Sequence, residues 1–174
     1  MIERMMMPNM PQDATLTHIH DTPQENEGDI QQETIQLCIF ELSDQLFGLS
    51  IFEVQEILED IEISPVPTTP HFLRGVMNLR GDIVPIVDIR EILQLPIKER
   101  TLDSRIMILT IKQVRLGILV DAIKEVRQIA KEVVQADTAQ AGITDRRFIS
   151  NIIQYNNGLL ILLDVNSLYA AVQL

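Results

Sequence analysis

The sequence predicts a mainly β protein made of two small β-barrels, each covered by a short helix. Two observations support this fold class. From residue 34 onward, short apolar runs rich in β-branched residues alternate with turn-forming residues, which is typical of short strands joined by tight turns. The pattern also occurs twice along the chain, so each of the two units is expected to form the same small barrel.

A faint internal repeat relates the two units. Residues 36–57 align with residues 105–126 without a gap. The aligned pairs include Gly48 with Gly117, Val54 with Ile123, Glu56 with Glu125 and Ile57 with Val126. Further along each unit, residues 72–89 align with residues 148–165. Each unit is therefore expected to run strand, turn, strand with a bend, connection, hairpin and a closing helical turn.

The clearest predicted hairpin lies in the first unit. Residues 75–79 and 83–87 are its arms, and Arg80-Gly81-Asp82 is its turn, whose glycine supplies the positive φ that such a turn needs. Pro85 lacks a backbone donor, which predicts an edge strand or a bulge for the second arm. In the second unit the equivalent turn contains Asn157-Gly158, a favoured hairpin dipeptide.

The two helices are predicted from their capping residues. Asp88 and Glu91 have the spacing of a capping box, which predicts a short helix from Arg90 to Leu95. Asp164 holds the equivalent position before a second predicted helix, residues 166–172. We accordingly expect structural turn or cap roles for Gly48, Gly81, Asp88, Gly117, Gly158 and Asp164.

The chain divides into an acidic N-terminal segment and a folded part. Residues 1–33 carry seven acidic residues against one arginine and few branched apolar residues, so this tail is expected to be disordered. The folded part is expected to comprise a first subdomain at about residues 34–97 and a second at about residues 98–174. The proline-rich stretch 64–70 is expected to be a stiff, extended connection.

Composition excludes several functional classes. With a net charge of −11, seven aromatic residues and no basic stripe, the chain is poorly suited to bind phosphates or stack bases, so we expect no nucleic-acid partner. An anionic membrane surface would repel it, and no apolar run approaches membrane-spanning length, so we expect no membrane insertion. The single Cys38 lies among apolar residues, which indicates a buried thiol in a cytoplasmic protein.

The sequence offers few groups for catalysis or metal binding. It has no phosphate-binding glycine loop, no nucleophile elbow, and no Cys or His pair at ligand spacing in the folded part. His18 and His20 lie beside Asp21 in the acidic tail without further ligands. Asp82 and Asp88 lie at opposite ends of one predicted strand and are explained as a turn former and a cap. We therefore expect no enzyme activity, no metal site and no cofactor.

Three stretches of the sequence resemble one protein family. Asn78-Leu79-Arg80-Gly81, with Val84-Pro85-Ile86-Val87-Asp88, is similar to the central motif of CheW-like domains, the coupling proteins of bacterial chemotaxis. Residues 47–57 and 116–121 resemble further parts of the same family, in the family's order. The resemblance spans residues 35 to about 170.

The resemblance implies both a fold and a function. The fold is two SH3-like five-stranded barrels side by side. The function is that of a non-catalytic scaffold or adaptor that couples methyl-accepting chemoreceptors to a CheA-type histidine kinase. Its implied partners are the cytoplasmic helical hairpin of the receptor and the regulatory domain of the kinase, so the protein is expected in the cytoplasm, recruited to membrane receptor arrays. The alternative is a CheW-like adaptor of another chemosensory pathway, controlling pilus motility or gene expression.

The resemblance also implies a receptor groove between the barrels, in which apolar residues anchor a docking helix. The expected members of this receptor groove are Val54, Glu56, Ile57, Gly75, Arg80, Ile106, Ile123 and Val126. The kinase is implied to bind the barrel ends. Arg80 has an alternative, structural explanation, an ion pair with Asp82 or Glu56 that braces the hairpin. The repeat preserves neither Gly75 nor Arg80, which favours a function specific to the first unit for both.

Overall fold

The structure is a computed structural model that describes residues 33–59, 62–135 and 146–173. Residues 1–32 of the predicted acidic tail, with His18 and His20, lie outside the described residues. The strands are β1 (Thr34–Leu42), β2 (Gln45–Ser50), β3 (Val54–Leu58), β4 (Leu73–Leu79), β5 (Asp82–Val87), β6 (Arg105–Ile111), β7 (Val114–Val120), β8 (Ala122–Ala130), β9 (Ile149–Tyr155) and β10 (Gly158–Leu163). The α-helices are α1 (Lys131–Gln135) and α2 (Val165–Val172), and single 3₁₀ turns cover Ile51–Glu53 and Arg146–Phe148.

The strands form two five-stranded sheets, which confirms the predicted mainly β fold. The order of strands is β8-β1-β2-β10-β9 in sheet A and β3-β6-β7-β5-β4 in sheet B. All neighbouring strands are antiparallel except two pairs, β2 with β10 and β5 with β7. The two sheets therefore have the same topology, as the sequence repeat requires.

The sheets do not follow the predicted division into residues 34–97 and 98–174. Sheet A combines the first hairpin of the first unit, β1 and β2, with the last three strands of the second unit. Sheet B combines the first hairpin of the second unit with the last three strands of the first. The two repeats have thus exchanged their first hairpins, and a boundary near residue 97 separates no compact unit.

Contacts between the edge strands show that each sheet is curled into a barrel. In sheet B, the Arg80 guanidinium, next to edge strand β4, bonds the Glu56 carboxylate on the opposite edge strand β3, with N–O distances of 2.9 and 3.3 Å. In sheet A, Tyr155 of edge strand β9 donates its hydroxyl proton to Glu125 and accepts a hydrogen bond from Arg127 at 3.2 Å, both on edge strand β8. Opposite edges can meet only if the sheet closes on itself.

Three apolar clusters support this arrangement. One lies inside each barrel: Met77, Ile86, Ile106 and their neighbours in sheet B, and Ile39, Ile153, Leu160 and theirs in sheet A. The largest lies between the barrels and includes Phe40, Phe47, Met107, Leu109, Ile118 and Leu168 of α2. The barrels are consequently joined by a continuous apolar core.

The tight turns confirm the predicted hairpin and correct the role of three glycines. Arg80-Gly81 is a two-residue loop with positive φ at both positions, as expected for Gly81. The second hairpin turns at Asn156-Asn157 instead, and Gly158 is the first residue of β10. Gly48 and Gly117, also expected in turns, both lie within strands. There a methyl group would approach Leu162 Cδ2 to 2.9 Å and Ile86 Cδ1 to 2.4 Å, respectively, so these glycines make room for barrel side chains.

One predicted helix forms and the other does not. Asp164 caps α2 by accepting hydrogen bonds from the backbone N–H groups of Asn166 and Ser167. The predicted helix at Arg90 to Leu95 is a series of turns. Its expected capping carboxylate, Asp88, accepts the backbone N–H of Arg90 at 3.2 Å, and it is also buried and ion-paired with the Arg90 and Arg74 side chains, both at 2.9 Å.

Two proline-containing segments also differ from expectation. Pro85 lies in β5, which is an interior strand, and parallel pairing with β7 begins one residue later, at Ile86. Although Pro85 has no backbone N–H, no hydrogen bond between β5 and β7 is therefore lost. The stretch 64–70 is not a straight connection, because Ser64 pairs with Val76 and the chain turns at Thr68, where φ is 63°.

Candidate protein-binding surfaces

Edge strands β3 and β8 carry the same irregularity. Gln55 in β3 and Lys124 in β8 are each an extra residue with no opposite partner, so each is a β-bulge. The two bulges occupy equivalent positions of the sequence repeat. A bulge redirects the side chains that follow it. Before the bulges, Val54 and Ile123 are half-buried and pack against the core between the barrels, so both edge strands border that core.

Beyond each bulge one large apolar side chain is exposed. Ile57 on β3 is 38% exposed, and its repeat equivalent Val126 on β8 is 52% exposed. Phe52, in the 3₁₀ turn before β3, is 88% exposed. Large apolar side chains on exposed edge strands are typical of protein-binding surfaces. Ile57 and Val126 were predicted from the sequence as surface residues. Phe52 was not, although its position beside the predicted bend was an available signal.

The Arg80–Glu56 ion pair settles one of the alternatives left open by the sequence. Arg80 pairs with Glu56 and not with Asp82, which binds Arg115 at 2.5 Å. The Arg80 side chain remains 75% exposed while that of Glu56 is 17% exposed. The pair thus braces the barrel and also presents a cation on its surface.

Two expected members of the receptor groove are not on the surface. Ile106 is 1% exposed and lies in the apolar cluster inside the sheet B barrel, so it cannot touch a partner directly. Gly75 is buried, has φ of +143°, and a methyl group there would approach the Ser64 carbonyl oxygen to 2.3 Å. This close backbone approach explains why the first unit needs glycine at this position, and a contact with a partner is not required to explain it.

A second apolar surface lies at one end of the sheet B barrel. Ile83 on β5 is 65% exposed and Val114 on β7 is 41% exposed. Ile83 and Val114 lie at the starts of their strands and are next in sequence to Asp82 and Arg115, respectively. The Arg115–Asp82 ion pair holds the same strand ends together. We call Ile83 and Val114 the barrel-end surface; from the sequence, Ile83 was predicted only as part of a hairpin arm.

Burial changes the pKa values of two groups that lie outside these surfaces, Cys38 and Glu53. Desolvation raises the pKa of the Cys38 thiol, which is fully buried as predicted. Burial also raises the pKa of Glu53, a hydrogen bond from Ser50 opposes the shift, and the negative charge of Asp164 adds to it.

In residues 33–59, 62–135 and 146–173 no three His, Cys, Asp or Glu side chains are grouped so as to hold a metal ion. No helix in the described part of the chain has the length and apolar character needed to span a bilayer.

Two curled sheets of identical topology, with apolar residues exposed on their edges and ends, define a protein-binding module. The chain belongs to the CheW-like domain family, whose model matches residues 36–173. It is 29% identical to the chemotaxis protein CheW of Treponema pallidum over 151 residues, covering 83% of this chain and 88% of that protein. It is 30% identical to CheW of Thermotoga maritima, covering 76% of this chain and 86% of that protein.

A solved structure agrees with this assignment. The crystal structure of the scaffolding protein TtCheW from Thermoanaerobacter tengcongensis superimposes with a TM-score of 0.70 at 31% identity, covering 76% of this chain and 90% of that one. The predicted family and the predicted role of a non-catalytic chemotaxis adaptor are confirmed by these comparisons. The alternative, an adaptor of another chemosensory pathway, is not favoured by them.

Proposed function

We propose that this protein couples the cytoplasmic helical hairpin of chemoreceptors to the regulatory domain of a CheA-type histidine kinase. The observation that carries the proposal is the exposure of large apolar side chains at two places on the barrel pair, the edge strands and one barrel end. One is the edge surface, formed by Phe52, Ile57 and Val126, and the other is the barrel-end surface. An adaptor needs two such surfaces so that it can hold two partners at once, and receptor conformation can then bias kinase activity through the shared interfaces.

The receptor is assigned to the edge surface. Val54 and Ile123 border the core between the barrels, and Phe52, Ile57 and Val126 extend this apolar area outward. A helical hairpin can bury its apolar face there by helix-in-groove recognition.

The receptor assignment is tested with Ile57→Glu. The side chain is already exposed, so the variant is expected to keep its circular dichroism spectrum and melting temperature but to lose co-sedimentation with receptor-containing vesicles. Leu102→Glu is the matched control, because Leu102 is 98% exposed in the loop before β6 and lies outside both surfaces. Unchanged sedimentation of the Ile57→Glu variant would refute the assignment.

The kinase is assigned to the barrel-end surface. Ile83→Glu is expected to abolish binding to the isolated regulatory domain, measured by calorimetry, while binding to receptor vesicles is retained. The reverse pattern, with loss of receptor binding alone, would show that the two surfaces have been assigned in the wrong order.

Two roles were left open for Arg80 by the sequence, bracing of the barrel and contact with a partner. Exposed ion pairs contribute about 0 to 1 kcal/mol to stability, so Arg80→Ala is expected to lower the free energy of unfolding by less than about 1 kcal/mol. If Arg80 also contacts a partner, the variant will impair kinase activation in reconstituted arrays much more strongly than this small change predicts. A large loss of stability with normal activation would assign Arg80 to bracing alone.

Binding to receptors would recruit the protein from the cytoplasm to membrane receptor arrays. A fluorescent fusion is expected to form clusters with the receptors, and Ile57→Glu is expected to disperse them. Clusters that persist in cells lacking the receptors would contradict this localisation.

A further inference from the structure

A cavity of about 330 Å³ outside both proposed surfaces combines buried charge with an apolar wall. It lies between the ends of β4 and β5 and the loop of residues 96–104. Its charged lining residues are Arg74, Arg90, Lys98 and Arg100 against Asp88 and Glu99. Four cations facing two carboxylates is unusual on a chain whose net charge is −11.

Arg90 is the central residue of this cavity. Its side chain is only 4% exposed. One terminal nitrogen donates to Asp88 at 2.9 Å and the other donates to Asp121. Its Nε is buried and has no hydrogen-bond partner within the described part of the chain. Buried N–H groups are nearly always paired, so an unpaired one calls for an acceptor that occupies the site, such as an ion or a bound molecule.

The neighbouring carboxylates are already engaged. Asp88 accepts from Arg90 through one oxygen and from Arg74, at 2.9 Å, through the other. Asp121 accepts from Arg90 through one oxygen and from the Ser43 backbone N–H, at 2.6 Å, through the other. Neither is therefore placed to satisfy the Arg90 Nε as well.

The cavity rim adds further positive charge. Arg100 has no ion-pair partner among the described residues, and Lys98 is paired only with Asp44, which is exposed to solvent. The opposite wall is apolar and includes Ile63, Ile97 and Leu119. Ile97 is 58% exposed, which leaves its side chain available to a ligand.

We propose that this cavity binds a small organic oxyanion, with a carboxylate or phosphate head beside Arg90 and Arg100 and a short apolar body against Ile97. Planar guanidinium groups match the geometry of both head groups. Arg90 lines the cavity, and its Nε is the donor left without a protein acceptor in the described residues. The site is independent of the receptor and kinase surfaces proposed above.

The test uses titrations of the full chain, at constant ionic strength, with four probes: hexanoate, butyl phosphate, inorganic phosphate and hexanol. Binding is followed by ¹H–¹⁵N correlation spectra that include the arginine Nε–H signals. We expect saturable shifts of the Arg90 Nε–H and the Ile97 amide with hexanoate or butyl phosphate, and at least five-fold weaker binding of inorganic phosphate and of hexanol.

The exposed Arg100 provides the diagnostic variant, since its replacement leaves the buried network intact. Arg100→Gln is expected to weaken binding of the organic anions at least five-fold. Lys112→Gln is the matched control, because it removes one positive charge from the exposed turn of the β6–β7 hairpin, at the end opposite the cavity-lining Ser104 and Leu119, and it should leave binding unchanged. Equal affinity for hexanol, equal affinity for inorganic phosphate, an unmoved Arg90 Nε–H signal, or equal effects of the two variants would each overturn the proposal.

Discussion

The Asp88→Asn substitution separates the two roles that one aspartate can have in this fold. Asp88 and Asp164 occupy equivalent positions of the repeat, yet Asp164 caps a helix while Asp88 is 2% exposed and holds two arginines. An asparagine at position 88 keeps the shape but removes the charge opposite Arg90, whose side chain is 4% exposed. Removing one partner of a buried ion pair costs about 3 to 5 kcal/mol, because the other charge stays buried without compensation.

The lower end of that range applies here. Asp121 still neutralises part of the Arg90 charge, and the Arg74 side chain is 34% exposed, so solvent screens its interaction with Asp88. We therefore expect a loss of about 3 kcal/mol, which corresponds to a decrease in melting temperature of about 6 to 12 °C for a chain of this size.

Urea denaturation followed by circular dichroism measures this loss. Asp164→Asn is the matched control, because asparagine is as good an N-cap as aspartate. It loses the charge–dipole interaction and one hydrogen bond accepted from the Ser167 hydroxyl, and it also removes the repulsion of Glu53, so a net cost of about 1 kcal/mol is expected. Both variants should keep the dependence of unfolding on urea concentration, since the same surface is exposed. The reasoning would be refuted if Asp88→Asn cost no more than Asp164→Asn.

Three further outcomes follow from burial and close packing. The pKa of Glu53 is raised above its ordinary 4.5 in the folded state, so ionisation of Glu53 opposes folding above that pH. Glu53→Gln should therefore be more stable than the wild type at pH 7, and the difference should be lost by pH 4. A variant that is less stable at pH 7 would contradict this. The buried Cys38 thiol, with its raised pKa, should react with a disulfide reagent only as fast as the protein unfolds, so complete labelling on mixing in native buffer would contradict its burial. Gly75→Ala should lower the free energy of unfolding by about 2 kcal/mol or more in thermal melts, because residue 75 has a positive φ and the added methyl group would clash with the Ser64 carbonyl oxygen. Near-normal stability would contradict this and would favour a partner contact as the reason for glycine at this position.

Much of the fold was accessible from local sequence patterns. The alignment of 72–89 with 148–165 maps β4 onto β9 and β5 onto β10 with identical bounds. The turn was predicted at Arg80-Gly81-Asp82 from its glycine; it forms at Arg80-Gly81, and Asp82 is the first residue of β5. These features depend on residues close together in the chain, so their pattern is visible in the sequence. The repeat also matched Val54 with Ile123 and Ile57 with Val126, which the structure places at equivalent sites around two equivalent bulges.

The candidate surfaces were accessible only in part. Ile57, Val126 and Arg80 are exposed as expected, whereas Ile106 proved to be core. An apolar residue in a strand gives the same sequence signal whether it faces the barrel interior or solvent, and a single bulge reverses the alternation that would distinguish them. Phe52 and Ile83, which are 88% and 65% exposed, were not predicted as surface residues.

By itself, the sequence determined the strands, the tight turns, the repeat and the family, because each is encoded by neighbouring residues or by a motif. Only the tertiary structure decided which strands pair. The exchange of first hairpins between the repeats depends on contacts between residues far apart in the chain, such as Cys38 with Val126, and two halves of the same topology offer each hairpin two similar partners. Long-range pairing also brings Asp121 to Arg90, a residue that lines the charged cavity, and no local pattern in either segment reveals this contact.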